Sequence, residues 1–410
     1  MLGVTTLTLR PTDARTPKQA HVGLAIVALA LGGFAIGTTE FVTMGLLPQI
    51  ASGIDESIPS TGHIISAYAV GVFVGAPVIV AVAARLPRRA LAIGLVLALG
   101  VGNVLTATAQ SYSGLMVARF IAGLPHGAYF GVASLIAASL VTADRRGRAV
   151  SSVMLGLAVA NVAGVPAATW LGQTLGWRTA YIAVVVITIA TATLVLAYVP
   201  SSPRQRDASV RTELSALRRP QVWLTLAIGT VGFGGMFAMY SYIAPVVTDV
   251  AGRSDGFVPI VLFAYGIGGV AGTALGGRLA DWAILRSLMG AMIATAVLLA
   301  TFTQVAHNAT LLVGTVFLIS LAASVLVVCL QMRLMEVAGS AAMLGAALNH
   351  SSLNAANALG AWLGGIVIAG GYGYTAPSAV GVVLAVAGLV ILAVSGLLYR
   401  GERLSLSLAY

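Results

Sequence analysis

Apolar runs long enough to cross a lipid bilayer recur along this chain and constrain its fold more than any other feature. A transmembrane α-helix needs about 20 consecutive, mostly apolar residues. Such runs lie at 22–47, 61–84, 91–109, 113–139, 149–171, 177–199, 222–247, 257–279, 287–305, 310–332, 341–369 and 375–399. Only 8% of the residues are charged, against about 25% in ordinary soluble proteins. The sequence therefore predicts an all-α polytopic membrane protein with twelve transmembrane helices.

A polar segment rich in arginine divides the twelve runs into two sets of six. Residues 200–220 interrupt the apolar pattern and indicate a solvated linker. The predicted organisation is a cytoplasmic tail (1–21), an N-terminal six-helix bundle (22–199), the linker (200–220), a C-terminal bundle (221–399) and a second tail (400–410). The first run lacks the short apolar core and small-residue cleavage site of a signal peptide, so we expect it to be a retained helix.

The distribution of basic residues predicts the orientation in the membrane. A net charge of +10 in a soluble protein would suggest nucleic acid as a partner. Here, if the N-terminus is cytoplasmic, all but three of the 22 Lys and Arg lie on the cytoplasmic side, the exceptions being Arg119, Arg178 and Arg253. This asymmetry follows the positive-inside rule and predicts a multi-pass protein of the plasma membrane with both termini in the cytoplasm. We expect lipid as its surroundings, no nucleic acid partner and a monomer.

The two sets of six runs are repeats of one another. Residues 67–75 return as 264–272, at the same offset that relates Pro48 to Pro245. Six helices repeated in one membrane orientation form a parallel repeat, which in transporters places the substrate site at mid-membrane between the halves. The repeat thus favours a transporter over a channel or a sensory module.

One acidic residue, Glu40, lies within the first apolar run. A charged side chain at the centre of a membrane helix costs about 2.5 to 3.5 kcal/mol on insertion scales, so it usually faces a cavity or a partner. The alternative is an interfacial acid, because Glu40 lies only about 12 Å along a helix from Pro48. The fourth run holds Arg119 at a similar depth, with His126 two turns further on the same face. We expect an ion pair or a shared hydrogen bond between Glu40 and Arg119, since a buried arginine without a partner is costly. For His126, a proton or substrate role and a simple hydrogen bond within the bundle both remain open.

Further polar and aromatic residues at mid-membrane depth are candidates for lining a substrate cavity. In the eleventh run, His350, Asn354 and Asn357 follow at i, i+4 and i+7 and form one polar stripe. In the seventh run, Phe233, Phe237 and Tyr240 form an aromatic row, which suits either packing or a flat organic substrate. The predicted cavity set is Phe41, Asn161, Phe237, Tyr240, Gln331, His350, Asn354 and Asn357.

These residues stand in motifs that resemble a known family. The marks are 37–41 (Gly-Thr-Thr-Glu-Phe) with 45–48 (Gly-Leu-Leu-Pro), 118–120 (Ala-Arg-Phe), 160–166 (Ala-Asn-Val-Ala-Gly-Val-Pro) and 349–350 (Asn-His). The chain resembles the major facilitator superfamily, and within it the twelve-helix drug:proton antiporters of the arabinose-efflux-permease-like branch. The resemblance covers nearly the whole chain and implies the major facilitator fold.

The resemblance also implies roles for individual residues. Arg119 matches the helix-four arginine implicated in proton coupling. The Gly-Pro region Gly156, Gly164, Pro166 and Gly172 matches the motif associated with exporters, although this chain has Ala168 where the motif has a further glycine. The basic loop between helices two and three supplies the gating candidates Arg85, Arg88 and Arg89 but lacks the usual preceding acid. The acid occurs only in the second half, as Asp281 after Arg278.

The sequence thus predicts a secondary active transporter that exports a small, drug-like molecule in exchange for protons. Glu40, Arg119 and His126 are the predicted proton-coupling residues, with the proton as coupling ion and no cofactor or metal. Export of a sugar or a nucleoside, or an uncoupled facilitator, remain alternatives. An enzyme is not expected, because the sequence has no metal-binding histidine motif, no glycine-rich loop after a strand, and a single cysteine, Cys329.

Overall fold

The computed structural model describes residues 19–83, 86–142, 145–201, 215–339 and 342–408. Several predicted features lie outside these ranges: most of the N-terminal tail, Arg85, most of the linker and the end of the C-terminal tail. The described ranges consist of helices joined by short loops. The prediction of an all-helical membrane protein is therefore confirmed.

Twelve spanning helices, α1 to α12, can be followed through the described ranges. They are α1 (Gln19–Gly45), α2 (Ile58–Ala83), α3 (Arg88–Thr108), α4 (Tyr112–Gly123 and His126–Ser139), α5 (Arg146–Val159, Ala160–Gly164 and Val165–Leu175), α6 (Trp177–Tyr198), α7 (Pro220–Tyr240), α8 and α9 (together Val258–Val305), α10 (Ala309–Ala338), α11 (Ala342–Ala369) and α12 (Ala376–Leu408). Eleven helical stretches of this described chain are long and apolar enough to cross a membrane. One of them, Val258–Val305, has 48 residues, about 72 Å of helix, and a bilayer core is only about 30 Å thick. It breaks at Ala283, where φ is −167° and ψ is 94°, so it contributes two spans.

Two other helices are interrupted near mid-membrane, and proline contributes to both interruptions. In α4 the helix stops at Gly123 and resumes at His126, because Pro125 has no N–H to donate to the preceding turn. In α5 a π-helical turn, Ala160–Gly164, ends two residues before Pro166. Such π-helical turns are frequent at functional sites, and this one holds Asn161.

The outside of the bundle is apolar, and polar side chains at membrane depth lie inside it among a largely apolar core, as expected of a protein surrounded by lipid. Large apolar side chains such as Val186, Leu196 and Val383 are more than half exposed on the outside of the helices. Charged and amide side chains such as Arg119 and Asn357 are fully buried. Polar groups inside a bilayer face the protein interior because lipid offers them no hydrogen bond.

The two halves, α1–α6 and α7–α12, meet along α2 and α11 and along α5 and α8. We call the end of the bundle that carries loops 54–57 and 251–254 the outer end. Near it, the fully buried Tyr242 donates a 2.8 Å hydrogen bond to the carbonyl oxygen of Ala361 in α11. Its hydroxyl also lies against Gly62 of α2, where an added Cβ would be only 2.1 Å from it. Ser66 of α2 donates to the carbonyl oxygen of Ala358 at 2.9 Å. The contacts of Tyr242 with Gly62 and of Ser66 with Ala358 close the outer end between the halves.

Candidate transport site

Glu40 is buried where the two halves touch. Its side chain lies in α1 and the residue is only 5% exposed, so the interfacial alternative is wrong. Across the interface, Asn357 Nδ2 of α11 lies 3.5 Å from Glu40 Oε1. From its own half, His126 Nδ1 of α4 lies 3.8 Å from Glu40 Oε2. The one acid of the first helix therefore contacts both halves of the protein.

Arg119 is fully buried in α4 but does not pair with Glu40. Within the described residues, its hydrogen bond runs from Nη1 to Thr39 Oγ1, at 3.3 Å. The expected direct ion pair is therefore wrong in this conformation, although Arg119 stays close enough for a coulombic interaction with Glu40. The physical reason is the helical turn: consecutive residues of α1 project about 100° apart, so Thr39 and Glu40 face different neighbours.

Aromatic rings replace the missing carboxylate around the arginine. The Arg119 Cζ lies 4.4 Å from the ring centre of Tyr68 and 5.6 Å from that of Tyr181. A guanidinium over an aromatic face gains electrostatic energy without a counter-ion. Arg119 Nε and Nη2 nevertheless have no hydrogen-bond partner in the described structure. These two donors are available for a carboxylate in another conformation.

His126 lies at the start of the second segment of α4 and connects the acid to the second half. Its Nδ1 is 3.1 Å from the hydroxyl of Tyr68. Its ring packs against Phe130, with centroids 5.5 Å apart, and Phe130 stacks on His350 of α11 at 5.8 Å. Both readings of His126 are compatible with this geometry, because it has a hydrogen bond and also lies beside Glu40.

The predicted polar stripe of α11 faces the first half. His350 stacks on Phe130, and Asn357 reaches Glu40, two turns further along the helix. Asn354 lies between them on the same face, is 4% exposed, and donates from Nδ2 to the carbonyl oxygen of His350 at 3.0 Å. The side-chain oxygens of Asn354 and Asn357 have no donor among the described residues.

An asparagine of the first half is arranged in the same way. Asn161, in the π-helical turn of α5, donates to the carbonyl oxygen of Leu157 at 3.2 Å, and its Oδ1 is also without a donor. Asn161 and Asn354 occupy related places in the two halves. The tripeptide Trp-Leu-Gly follows each of them further along the helix, at 170–172 and at 362–364. In both, the NH₂ group is fixed by a backbone carbonyl, so the free atom is the acceptor.

The aromatic row of α7 contacts α1 across the interface. Phe41 stacks on Phe237 with centroids 6.4 Å apart and meets Tyr240 edge-on at 6.1 Å. Tyr240 in turn stacks on Tyr265 of α8 at 3.9 Å. All four residues are less than 10% exposed, so in this conformation they pack against one another.

Gln331 is separate from this cluster. It is half-buried on α10 and makes no side-chain hydrogen bond with the described residues. Its role in a cavity stays a prediction.

The glycines of the exporter motif pack against α1. A Cβ at Gly156 would lie 2.0 Å from the Ala30 carbonyl oxygen, one at Gly164 would lie 2.4 Å from Thr38 Oγ1, and one at Gly172 would lie 2.5 Å from Leu46. Pro166 follows the π-helical turn beside them. These residues let α5 approach the helix that carries Glu40 as closely as backbones permit.

The basic gating candidates lie at helix ends. Arg88 and Arg89 begin α3, and Arg89 donates to the carbonyl oxygen of Leu196 in α6. Arg278 and Asp281 are exposed at the end of α8, and in the part of the chain that the structure describes no ion pair joins them. Their gating role stays a prediction.

Sequence reasoning missed the tyrosines around the acid. Tyr68 and Tyr265 both lie close enough for electrostatic interaction with Glu40. They occupy equivalent positions in the repeated segments 67–75 and 264–272, so the repeat that revealed the duplication also contained a pair of site residues. From the sequence alone, these segments were evidence only of the duplication.

This arrangement defines a class of protein. Two repeated six-helix halves with buried ionisable and amide groups where they meet form the architecture of a secondary transporter. The model of the Major Facilitator Superfamily matches residues 29–349. The chain belongs to this superfamily, and it is a multi-pass membrane transporter rather than an enzyme.

Known proteins agree with this assignment. The chain is 40% identical over 373 residues to the inner membrane transport protein YdhP of Escherichia coli (strain K12), covering 91% of this chain and 95% of that protein. It is 37% identical over 262 residues to the chloramphenicol resistance protein of Streptomyces lividans, covering 63% and 67% respectively. The crystal structure of a bacterial homologue of the human lysosomal transporter Spinster has the same fold, with a TM-score of 0.68 at 17% identity over 92% of this chain and 96% of that one. The predicted superfamily is confirmed, and these relatives are consistent with the predicted drug:proton antiporter branch.

Proposed function

We propose that this transporter exports a small, drug-like organic molecule in exchange for protons that move inward. The observation that carries the proposal is the burial of Glu40 at the contact between the halves. An ionisable group at such a place is costly and is typical of proton pathways in transporters. The chloramphenicol resistance protein among the relatives supports the export of a drug-like substrate.

Arg119 and Glu40 provide two arrangements for a proton switch. When Glu40 carries a proton it is neutral and needs no cation, so Arg119 can stay on Thr39. When Glu40 loses its proton, the buried carboxylate needs compensation. The two free donors of Arg119, Nε and Nη2, would supply it after a side-chain rotation. Proton release is thereby linked to a rearrangement between α1 and α4.

The halves 22–199 and 221–399 act as the two bodies of an alternating-access cycle. Contacts such as Tyr242 against Gly62 and Ser66 to Ala358 join the two halves and would break when the outer end opens. We place the protein in the cytoplasmic membrane as a monomer, with both termini in the cytoplasm and the proton as the coupling ion.

A sugar or a nucleoside is the second candidate substrate, and one specific observation favours it. The side-chain oxygens of Asn161, Asn354 and Asn357 are buried without a donor. Buried acceptors in proteins are nearly always paired, so a ligand with several O–H or N–H groups would satisfy them. The aromatic residues Phe41, Phe237 and Tyr240 favour a flat, more apolar compound instead.

Purified protein in proteoliposomes tests the proposal. Radiolabelled chloramphenicol, glucose and uridine are supplied outside vesicles with an acidic lumen. We expect concentrative uptake of at least one compound, lost when the pH gradient is collapsed or in Glu40→Gln, with exchange of that compound between the two sides retained. Glu56→Gln is the matched control, because Glu56 is an exposed acid outside the spans.

The alternatives give different results in the same assay. Uptake that is unchanged by collapse of the pH gradient and by Glu40→Gln identifies an uncoupled facilitator. Concentrative uptake of glucose or uridine alone replaces the drug-like substrate by the second candidate.

A further inference from the structure

Asn357 joins the proposed proton site to the other half of the protein. It is fully buried in α11, 317 residues after Glu40, and its Nδ2 lies 3.5 Å from Glu40 Oε1. This distance is long for a hydrogen bond, which has a typical N···O distance of about 2.9 to 3.0 Å. The contact is therefore weak in this conformation, although both residues are buried.

The side-chain amide of Asn357 contacts Glu40 through Nδ2, while its Oδ1 has no hydrogen-bond partner in the described structure. An ionised carboxylate only accepts hydrogen bonds, so the NH₂ group must face it. The Oδ1 atom then points away and has no donor in the described structure. A protonated carboxyl group has the opposite need, because its O–H requires an acceptor. The terminal torsion of asparagine is broad and roughly two-fold, so half a turn exchanges the two atoms.

The other groups around Glu40 are less suited to accept a hydrogen bond from its protonated carboxyl group. Arg119 has donors only, and His126 Nδ1 is already 3.1 Å from the hydroxyl of Tyr68. The hydroxyl of Tyr265 donates to Met236 Sδ at 3.2 Å, and Tyr240, stacked on the Tyr265 ring, makes no hydrogen bond with Glu40 in the described structure. From α11 itself, His350 stacks on Phe130 and makes no hydrogen bond or ion pair with Glu40 in the described structure. Asn357 Oδ1 is therefore a free acceptor on the residue that already reaches the carboxyl group.

We propose that Asn357 is a positioning residue for the coupling proton: its amide turns over when Glu40 is protonated, and Oδ1 then accepts the carboxyl O–H. The proton stays on Glu40 throughout, so only the partner of the hydrogen bond changes. An O–H···O bond has a typical length of about 2.7 to 2.8 Å and would replace the weak 3.5 Å contact. Proton uptake thereby draws α1 and α11 together, so the contact between the two halves depends on the protonation state of Glu40. This inference rests on the proposed proton role of Glu40.

Infrared difference spectroscopy of the purified protein during a pH titration tests the inference without a substrate. We expect a protonated-carboxyl C=O band that is absent in Glu40→Gln. With ¹³C-labelled asparagine, an amide C=O band should change with the same midpoint and should also vanish in Glu40→Gln. In Asn357→Leu, we expect the carboxyl band to move to the frequency of a weakly bonded group and the amide change to be lost. The titration midpoint should shift by roughly half a unit to one unit, the equivalent of one hydrogen bond.

Ser66→Ala is the matched control. It removes another hydrogen bond between the halves, to the neighbouring residue Ala358, but has no link to Glu40. Both bands should remain unchanged in this variant. A merely structural role of Asn357 would lower thermal stability without moving the carboxyl band.

The possible failures are distinguishable. A carboxyl band that is identical in Asn357→Leu and in the unmodified protein overturns the inference and leaves the proton role of Glu40 intact. A protein without any titrating carboxyl band that depends on Glu40 overturns both. If Asn357→Leu does not fold, the labelled amide band of the unmodified protein decides: no change at the Glu40 midpoint refutes the inference.

Discussion

Arg119 donates to Thr39, and not to the adjoining Glu40, so the buried cation and the buried acid of this transporter are neighbours without being partners. Thr39 in turn donates to Asn103 Oδ1 at 2.5 Å, which fixes the hydroxyl oxygen as an acceptor for the arginine. A chain of neutral groups thus holds the guanidinium while two of its nitrogens remain unpaired. This arrangement is the physical basis of the first prediction below.

Thr39→Val should destabilise the protein by about 1 to 3 kcal/mol, because it leaves a buried guanidinium N–H without an acceptor. In a double-mutant cycle with Arg119→Met, the two changes should show a coupling energy of at least about 0.5 kcal/mol. The measurement is thermal unfolding in detergent. Thr106→Val is the control, since Thr106 is equally buried but donates to the carbonyl oxygen of Gly102 in its own helix. Additive effects of the Thr39 and Arg119 substitutions would contradict the prediction.

Gly156→Ala should force α5 away from α1. The new Cβ would lie 2.0 Å from the backbone oxygen of Ala30, which cannot move without shifting the helix. We expect a loss of about 1 to 3 kcal/mol in stability, the usual cost of overpacking, together with a loss of transport. Gly131→Ala in α4 is the control, because it meets nothing within 4 Å. Equal stability of the two variants would show that the α1–α5 contact is not tight.

Tyr242→Ala should open the outer end. The substitution empties the space that the Tyr242 side chain fills between Gly62 of the first half and Ala361 of α11 in the second half. Reactivity of Ser66→Cys with a membrane-impermeant thiol reagent reports the opening, in a background where the buried Cys329 is replaced by serine.

The labelling rate should rise about tenfold, which corresponds to a closed state weakened by about 1.4 kcal/mol. Tyr242→Phe keeps the ring and should give a smaller increase. If Tyr242→Ala is labelled at the same rate as the protein that keeps Tyr242, this side chain does not help to close the outer end.

Asn161→Leu and Asn354→Leu should separate stability from transport. Each removes a buried oxygen that has no donor, so stability should stay the same or rise by up to about 1 to 3 kcal/mol. If the oxygens bind substrate, transport in the proteoliposome assay should fall by at least about tenfold for each lost hydrogen bond worth about 1.4 kcal/mol. Ser151→Ala, at an exposed position of α5, is the control. Normal transport in both leucine variants would remove these residues from the substrate site.

The sequence was sufficient to predict the spans, because bilayer thickness and the cost of unpaired polar groups act on each segment locally. The predicted run 177–199 agrees with Trp177–Tyr198, and 310–332 lies within Ala309–Ala338. The duplication was also visible, as the repeated segments 67–75 and 264–272. The same local argument identified Glu40, Arg119 and the stripe of α11 as polar groups where lipid would not accept them.

The sequence alone determined which residues must face inward, and only the tertiary structure decided which of them meet. Helix position fixes the depth of a side chain, so Glu40 and Arg119 were expected at one level. Their direction around the helix depends on steps of about 100° per residue and on how each helix is rotated against its neighbours. Because Thr39 and Glu40 are one such step apart on α1, Arg119 donates to the hydroxyl of Thr39 and not to the carboxyl group of Glu40. The packing of α11 against the first half brings Asn357 to Glu40. Glu40 and Asn357 are 317 residues apart in the chain, so their contact depends on how the whole bundle packs and not on any single run of sequence.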